Sequence, residues 1–447
     1  MKFGIFGLAT LTLAVTGCQP EVAPPPVAAV VKAAPVLAPP AEPPPEPVFE
    51  EPRPLQLLAA ELQAPGAELE TSCEAPPCAH PLAAFFDALE KNAPLSPDSQ
   101  TVRIVVLGNS LIATDGVVSM VRERLIERLG SAGRGQLLAD RLGSWGPRIR
   151  TGTAAGKWGL STVGILKPLK QPHGLSGAQH QALSKNASTR YSLHGDTKAE
   201  VLWFAEKPKG QLAVEIDGAR VSTVDALPEG KVQRTQIDLP AESHVLKLVF
   251  PQAGPVVQGV VLEREGRGLV MDTFGVPSVD ASLYLRTDEA LFIEQLRERE
   301  PSLVMVMLGG NEVKRLAWGR TELETIERDL KALLARIHTA VPNASCLVVS
   351  PIDSVRGPTA RLPYEQRPEL DGYLAIQKRI ALEDHCAYFD LFGAMGGPGS
   401  LKRFRARGLV HDDLVHPRGK GLDLLGELTV SAMLRAYDSR RARAGAN

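Results

Sequence analysis

The 447-residue sequence lacks an excess of charge of either sign: 50 Lys and Arg stand against 51 Asp and Glu, a formal net charge of −1. No Lys/Arg-rich block breaks that balance, so the electrostatic footprint of a nucleic-acid binder is missing. It also lacks, at its N-terminus, an apolar run long enough for a membrane span. The run from Phe3 to Val15 falls short of the about 20 residues a helix needs to cross a bilayer, which makes a retained span there the weaker reading. Cysteine is scarce, five in all. Cys73 and Cys78 bracket Glu-Ala-Pro-Pro, a spacing that closes a small disulfide loop in an oxidising compartment. Cys346 and Cys386 each sit in an apolar, strand-like run, where a buried free thiol is the default and a bridge requires the two strands to be close neighbours.

What is present begins with Met1-Lys2, the apolar run, and Thr16-Gly17-Cys18: a charged n-region, an h-region and a small-residue cleavage site, hence an export signal over residues 1–18. Val15-Thr16-Gly17-Cys18 resembles the lipobox of bacterial lipoproteins, in which the Cys becomes the lipidated first residue. That resemblance implies a lipid anchor on Cys18 and, with Gln19 behind it, an outer-membrane location facing the periplasm. Residues 19–56 are Pro, Ala, Val and Glu with little else, too poor in buriable surface to fold, and read as a tether. In the polyproline form, at about 3.1 Å per residue, it reaches roughly 100 Å, a length suited to a cell-wall substrate.

The remainder is long enough for one large or two medium cores. Val102–Leu107 is a β-branched run followed by a helical pattern through Val117, Val121, Leu125 and Leu129. Leu303–Leu308 repeats the unit, ahead of Leu323, Ile326, Leu330, Leu333 and Ile337 at helical spacing, and the runs Cys346–Ser350 and Ala387–Leu391 continue the series. Ala83–Leu89 adds a helix before the first strand. Apolar strands alternating with helices predict a three-layer, flavodoxin-like α/β domain around a parallel sheet, carried by residues 57–134 and 269–447. Across 135–268 helical periodicity disappears. Ala199–Ala205, Gln211–Ile216, Gln233–Leu239, Val245–Phe250 and Val256–Glu263 read as strands, with Asp217-Gly218 as a hairpin turn, so an all-β module interrupts the α/β domain. Trp203 and Phe204 in this module are candidate sugar-stacking residues, although aromatics in strands generally serve the core. His173, His180 and His194 read as surface or turn histidines.

Gly108-Asn109-Ser110-Leu111 follows the first strand at its carboxyl end, where open α/β sheets place ligands. Near the C-terminus Asp413-Leu414-Val415-His416 puts a carboxylate and an imidazole on one short loop. A serine hydroxyl needs both: imidazole takes its proton during attack, and the carboxylate fixes the ring's tautomer and stabilises its charged form. Donors for a tetrahedral oxyanion are available at two further strand ends, from Asn311 in Gly309-Gly310-Asn311-Glu312 and from the Gly275 amide in Asp272-Thr273-Phe274-Gly275. His411-Asp412-Asp413 with His416 has some metal-ligand character, but the Ser110 arrangement employs Asp413 and His416 fully.

These four blocks, in this order, resemble the signature blocks of the SGNH/GDSL hydrolase family. The resemblance implies Ser110 as nucleophile, Asp413 and His416 as its partners, and Ser110, Gly275 and Asn311 as the oxyanion hole; it implies no metal and no organic cofactor. The usual Gly-Asp-Ser-Leu has Asn109 in place of its Asp, a residue outside the triad. The inserted module resembles the jelly-roll or carbohydrate-binding-like insertion of periplasmic peptidoglycan O-acetylesterases. The expected activity is therefore removal of O-acetyl groups from a wall or envelope polysaccharide. An O-acetyltransferase using the same triad, or a non-catalytic wall-binding lipoprotein, is the alternative.

Overall fold

The computed structural model describes residues 53–73, 80–92, 100–142, 150–206, 210–356 and 365–445. The export signal, Cys18 and most of the tether lie outside the described residues, as does Cys78. The helix Arg53–Leu62 begins inside the expected tether and shortens it. Pro54, fixed near helical φ, occupies a first-turn position where its missing N–H costs nothing, and Leu55 and Leu62 are buried. Among the described residues no helix is long and apolar enough to cross a membrane.

Six strands form the central sheet: β1 (Leu69–Glu70), β2 (Thr101–Gly108), β3 (Gly268–Gly275), β4 (Leu303–Met307), β5 (Ser345–Val349) and β6 (Ala387–Phe389). Their spatial order is β1-β6-β5-β4-β2-β3. All neighbours are parallel except β1, which runs antiparallel on the edge, so the sheet is mixed rather than purely parallel. Alternation along β2 explains its unbroken apolar run. Ile104 and Val106 enter one core with Val117, Val121 and Leu125 of the helix Gly116–Leu129; Val105 and Leu107 enter the opposite core with Leu330, Leu333 and Ile337 of the helix Leu323–Ala340. A strand buried on both faces has no polar position to alternate with.

The chain leaves this sheet after the helix Gly116–Leu129 and builds two antiparallel sheets between Gly133 and Glu263 before re-entering at β3. One contains Ala219–Asp225, Gln211–Ile216, Val245–Phe250, Ala187–Ser192 and Thr153–Ala155; the other is centred on Val256–Glu263. They enclose a core in which Trp203 is fully buried, its Nε1–H donating to Thr235 Oγ1 at 2.9 Å, so Trp203 and Phe204 are packing residues. The Asp217-Gly218 hairpin takes φ of 47° and 85°, both left-handed, as a primed two-residue turn requires.

The seam between module and hydrolase is ionic. Arg103 of β2 grips Glu263 with two bonds of 2.7 and 2.8 Å, Arg299 bridges Glu263 and Asp272 of β3, and Asp272 Oδ1 accepts the Gln136 amide at 2.6 Å. Two histidines on the hydrolase side of the module depart from expectation. His173 is buried because its ring is satisfied, Nδ1 against Gln171 O at 2.9 Å and Nε2 against Ser161 Oγ at 3.0 Å. His180 is buried with Nε2 against Arg141 O, and burial holds both rings below the ordinary histidine range; His194 is exposed. The free-thiol expectation for Cys346 and Cys386 is also corrected. β5 and β6 are parallel neighbours in register Leu347 to Ala387, which brings the two Cα atoms to 4.6 Å, and the sulfurs are bonded.

Candidate active site

β2 ends at Gly108, where a Cβ would overlap the Ile112 side chain at 2.1 Å, and the chain turns at once into the single helical turn Ser110–Ala113. Asn109 caps that turn: its Oδ1 accepts the Leu111 amide at 3.0 Å. This bond needs only an acceptor oxygen, which Asn supplies as well as Asp, so the departure at position 109 leaves the loop geometry in place. Ser110 stands at the first helical position, and its amide is one of the donors that a helix cannot satisfy internally.

The partners arrive on a clip before the C-terminal helix Lys420–Gly445. Val410 and Pro417 form an antiparallel bridge, and the His411 amide donates to His416 O at 2.9 Å, closing the segment between them. Leu414 takes φ of 57° at its tip and is buried. Asp413 Oδ1 accepts the amides of Val415 and His416 at 2.9 and 3.0 Å, while Oδ2 lies 2.6 Å from His416 Nδ1. Partial burial pushes the Asp413 carboxyl up, but the bonds from the His416 ring and the two amides outweigh it and hold Asp413 below the usual carboxylate range. With Nδ1–H given to Asp413, His416 Nε2 is the acceptor facing Ser110 Oγ at 2.8 Å. His411 and Asp412 do not join them. Both are exposed, and Asp412 faces Arg405 at 3.6 Å.

Ser110 and Asn311 line one cavity, with Met307, Leu308, Lys314 and the Pro351–Val355 segment completing its walls and Leu414 and Val415 at one side. Asn311 Nδ2 donates to Val279 O at 2.7 Å, leaving its second hydrogen for a ligand. Gly275 is placed differently from the expectation. It lines a separate cavity with Ile112, Ala113 and Arg150, and a Cβ there would lie 2.0 Å from Ala113 N and 2.4 Å from Ile112 C. Its lack of a side chain admits the backbone of the nucleophile turn. The chain beside Asn311 is instead Ser278–Val279, with Ser278 exposed and at φ 65°.

Two residues of the site had gone unassigned. Glu312, 3 % exposed, accepts the Gly309 amide at 3.0 Å and the Ala281 amide at 3.3 Å, tying the loop after β3 to the helix Gly310–Ala317 that carries Asn311. Burial, then Asp280 nearby, pushes its carboxyl up to about 8. A Glu three positions after a strand-end glycine is a half capping box, a signal readable in Gly309-Gly310-Asn311-Glu312. Lys314, three residues beyond Asn311 and so on the same helix face, is the other.

This geometry is matched by likeness. The sequence profile of the GDSL-like lipase/acylhydrolase family matches residues 258–424, which contain Asn311, Asp413 and His416. A solved peptidoglycan O-acetylesterase superposes with a TM-score of 0.68 over 83% of this chain and 99% of its own, at 19% identity. A variant of an acetyl-xylooligosaccharide esterase from Geobacillus overlaps 38% of this chain and 73% of its own, at 22% identity and a TM-score of 0.28. No curated protein sequence matches. The chain thus has the SGNH hydrolase fold interrupted by an antiparallel β module. Over residues 258–424 the chain is similar to GDSL-like acylhydrolases, and that segment carries Asn311, Asp413 and His416.

Proposed function

We propose that the protein removes short acyl groups, acetyl above all, from hydroxyls of a cell-wall or envelope polysaccharide, by way of an acyl-Ser110 intermediate. The observation that carries this reading is the Ser110–His416–Asp413 relay, with spacings of 2.8 and 2.6 Å, at the floor of a small cavity. As Ser110 Oγ attacks the ester carbonyl, His416 Nε2 takes its proton. The tetrahedral oxyanion lies toward the Ser110 amide and the free hydrogen of Asn311 Nδ2. Collapse expels the sugar oxygen, which His416 protonates, and the same imidazole then deprotonates a water that attacks the acyl carbon and releases the carboxylate. Asp413, held ionised, stabilises the imidazolium in both halves.

Support for the polymer comes from the likeness to a peptidoglycan O-acetylesterase across the hydrolase and its inserted module together. Support for export comes from the signal-like segment ending at Cys18, and the Cys346–Cys386 bridge fits an oxidising compartment. In this reading Cys18 carries lipid and the following Pro-rich chain gives the enzyme its reach from the outer membrane into the periplasm. Acetate release from O-acetylated peptidoglycan by the full-length protein tests the activity. Ser110→Ala and His416→Ala should each lose at least about 10³-fold in turnover while keeping the wild-type melting curve. Undiminished release by Ser110→Ala overturns the reading.

A further inference from the structure

Lys314 lines the cavity that holds Ser110 and Asn311, and among the described residues its ammonium makes neither a hydrogen bond nor an ion pair. The charged groups around it do not consume it. Asp413 is engaged by the His416 ring and two amides. Arg367 stands near enough to repel it. Asp353, in the cavity wall and 2 % exposed, accepts the Leu401 amide at 3.1 Å, and burial pushes its carboxyl up toward the neutral form. Burial, then Arg367, lowers the Lys314 ammonium from its ordinary value against the pull of Asp413. A partly desolvated cation without a counter-ion costs free energy, and a carboxylate brought by a ligand would recover it.

We propose that Lys314 is a specificity-determining residue that receives a carboxylate of the substrate, so that the preferred substrates are O-acyl esters of acidic sugars over those of neutral sugars. The inference rests on the ester-hydrolase reading of this cavity and narrows its substrate class. Asn311 and Lys314, one turn apart, then hold the two ends of one sugar: the first takes the developing oxyanion of the ester, the second the acid group on the alcohol side. A charge-assisted bond of this kind is worth about 10- to 100-fold in discrimination.

The test compares kcat and KM of the full-length protein on acetylated glucuronic acid and acetylated glucose. The wild type should favour the acidic ester by about tenfold or more, chiefly through KM. Lys314→Gln should reduce that ratio about tenfold, Lys314→Arg should restore it to within about threefold, and Lys314→Glu should invert it. Absence of preference in the wild type, or an equal loss on both esters in Lys314→Gln, overturns the proposal. A measurement on the unaltered protein guards against a variant that fails to fold: glucuronate should inhibit p-nitrophenyl acetate hydrolysis at about tenfold lower concentration than glucose, and equal inhibition also overturns it. Turnover of p-nitrophenyl acetate that depends on Ser110, without any acidic preference, defeats this inference alone. Lack of turnover on every ester defeats the hydrolase reading and the inference with it.

Discussion

Adding one methyl group at Gly275 tests how Ser110 is positioned. In Gly275→Ala the new Cβ would fall 2.0 Å from Ala113 N, 2.4 Å from Ile112 C and 2.5 Å from Ala113 Cα. Ordinary contact distances are about 3.5–4.0 Å, so relief needs a displacement on the order of 1 Å or more. The clashing atoms are backbone, and no rotamer change can absorb the overlap. Either β3 or the Ser110–Ala113 turn must move, and the Phe274 and Val276 flanks of Gly275 are buried in the core. Overpacking of this kind costs about 1–3 kcal/mol, roughly 2–12 °C in melting temperature at about 2–4 °C per kcal/mol. A shift near 1 Å of the nucleophile against His416 Nε2 can cost about 10²-fold in kcat. The assay pairs p-nitrophenyl acetate kinetics with a thermal melt. Gly275→Ala keeps its backbone N–H, so a role confined to donating that N–H would leave melting unchanged and kcat within a few-fold. A variant with wild-type melting and kcat would refute the packing argument.

Two further perturbations follow from other parts of the molecule. Replacing both Cys346 and Cys386 with Ser frees a loop of 40 residues; chain-entropy reasoning puts the loss at about 4 kcal/mol, read as a drop in denaturation midpoint that added reductant reproduces in the wild type and not in the variant. Glu312, pushed up to about 8 from an unfolded value of 4.5, contributes stability that is full below about pH 4.5 and lost as pH rises to about 8. Glu312→Gln mimics the protonated form, so it should flatten the fall in stability between pH 5 and pH 8 in denaturant titrations; an unchanged slope would show that Glu312 is not the group titrating.

Much of the hydrolase sheet was legible because its strands are buried on both faces and therefore unbroken, and because Ser110, Asp413 and His416 fall in short segments whose local chemistry is self-sufficient. Asn109 caps its own turn, and Asp413 holds its own loop amides. The obscure features depend on partners distant in sequence. The disulfide needed the adjacency of β5 and β6, which no local pattern states. His173 and His180 are buried among partners such as Ser161 and Arg141 that come together only in the fold. The strand Ala178–Ala182 reads Ala-Gln-His-Gln-Ala, without the β-branched signature, because its polar residues find partners outside the strand: Gln179 meets Gln171 and Gln258, His180 meets Arg141 O and Gln181 meets Gly254 O. At Gly275 the sequence reveals that a side chain is unwelcome, but not whether the occupant of the vacated space is a substrate or the chain's own backbone.

The short clip closed by Val410 and Pro417 couples the fates of the general base and its carboxylate. In many triads these two groups ride on separate parts of the scaffold and can fail independently. Here Asp413 and His416 share one four-residue segment, bonded internally through its own amides. A conformational excursion of that loop withdraws both from Ser110 together, so the site has one mechanical coordinate, and any ligand or partner that displaced the clip would act as an on–off control and not as a graded one.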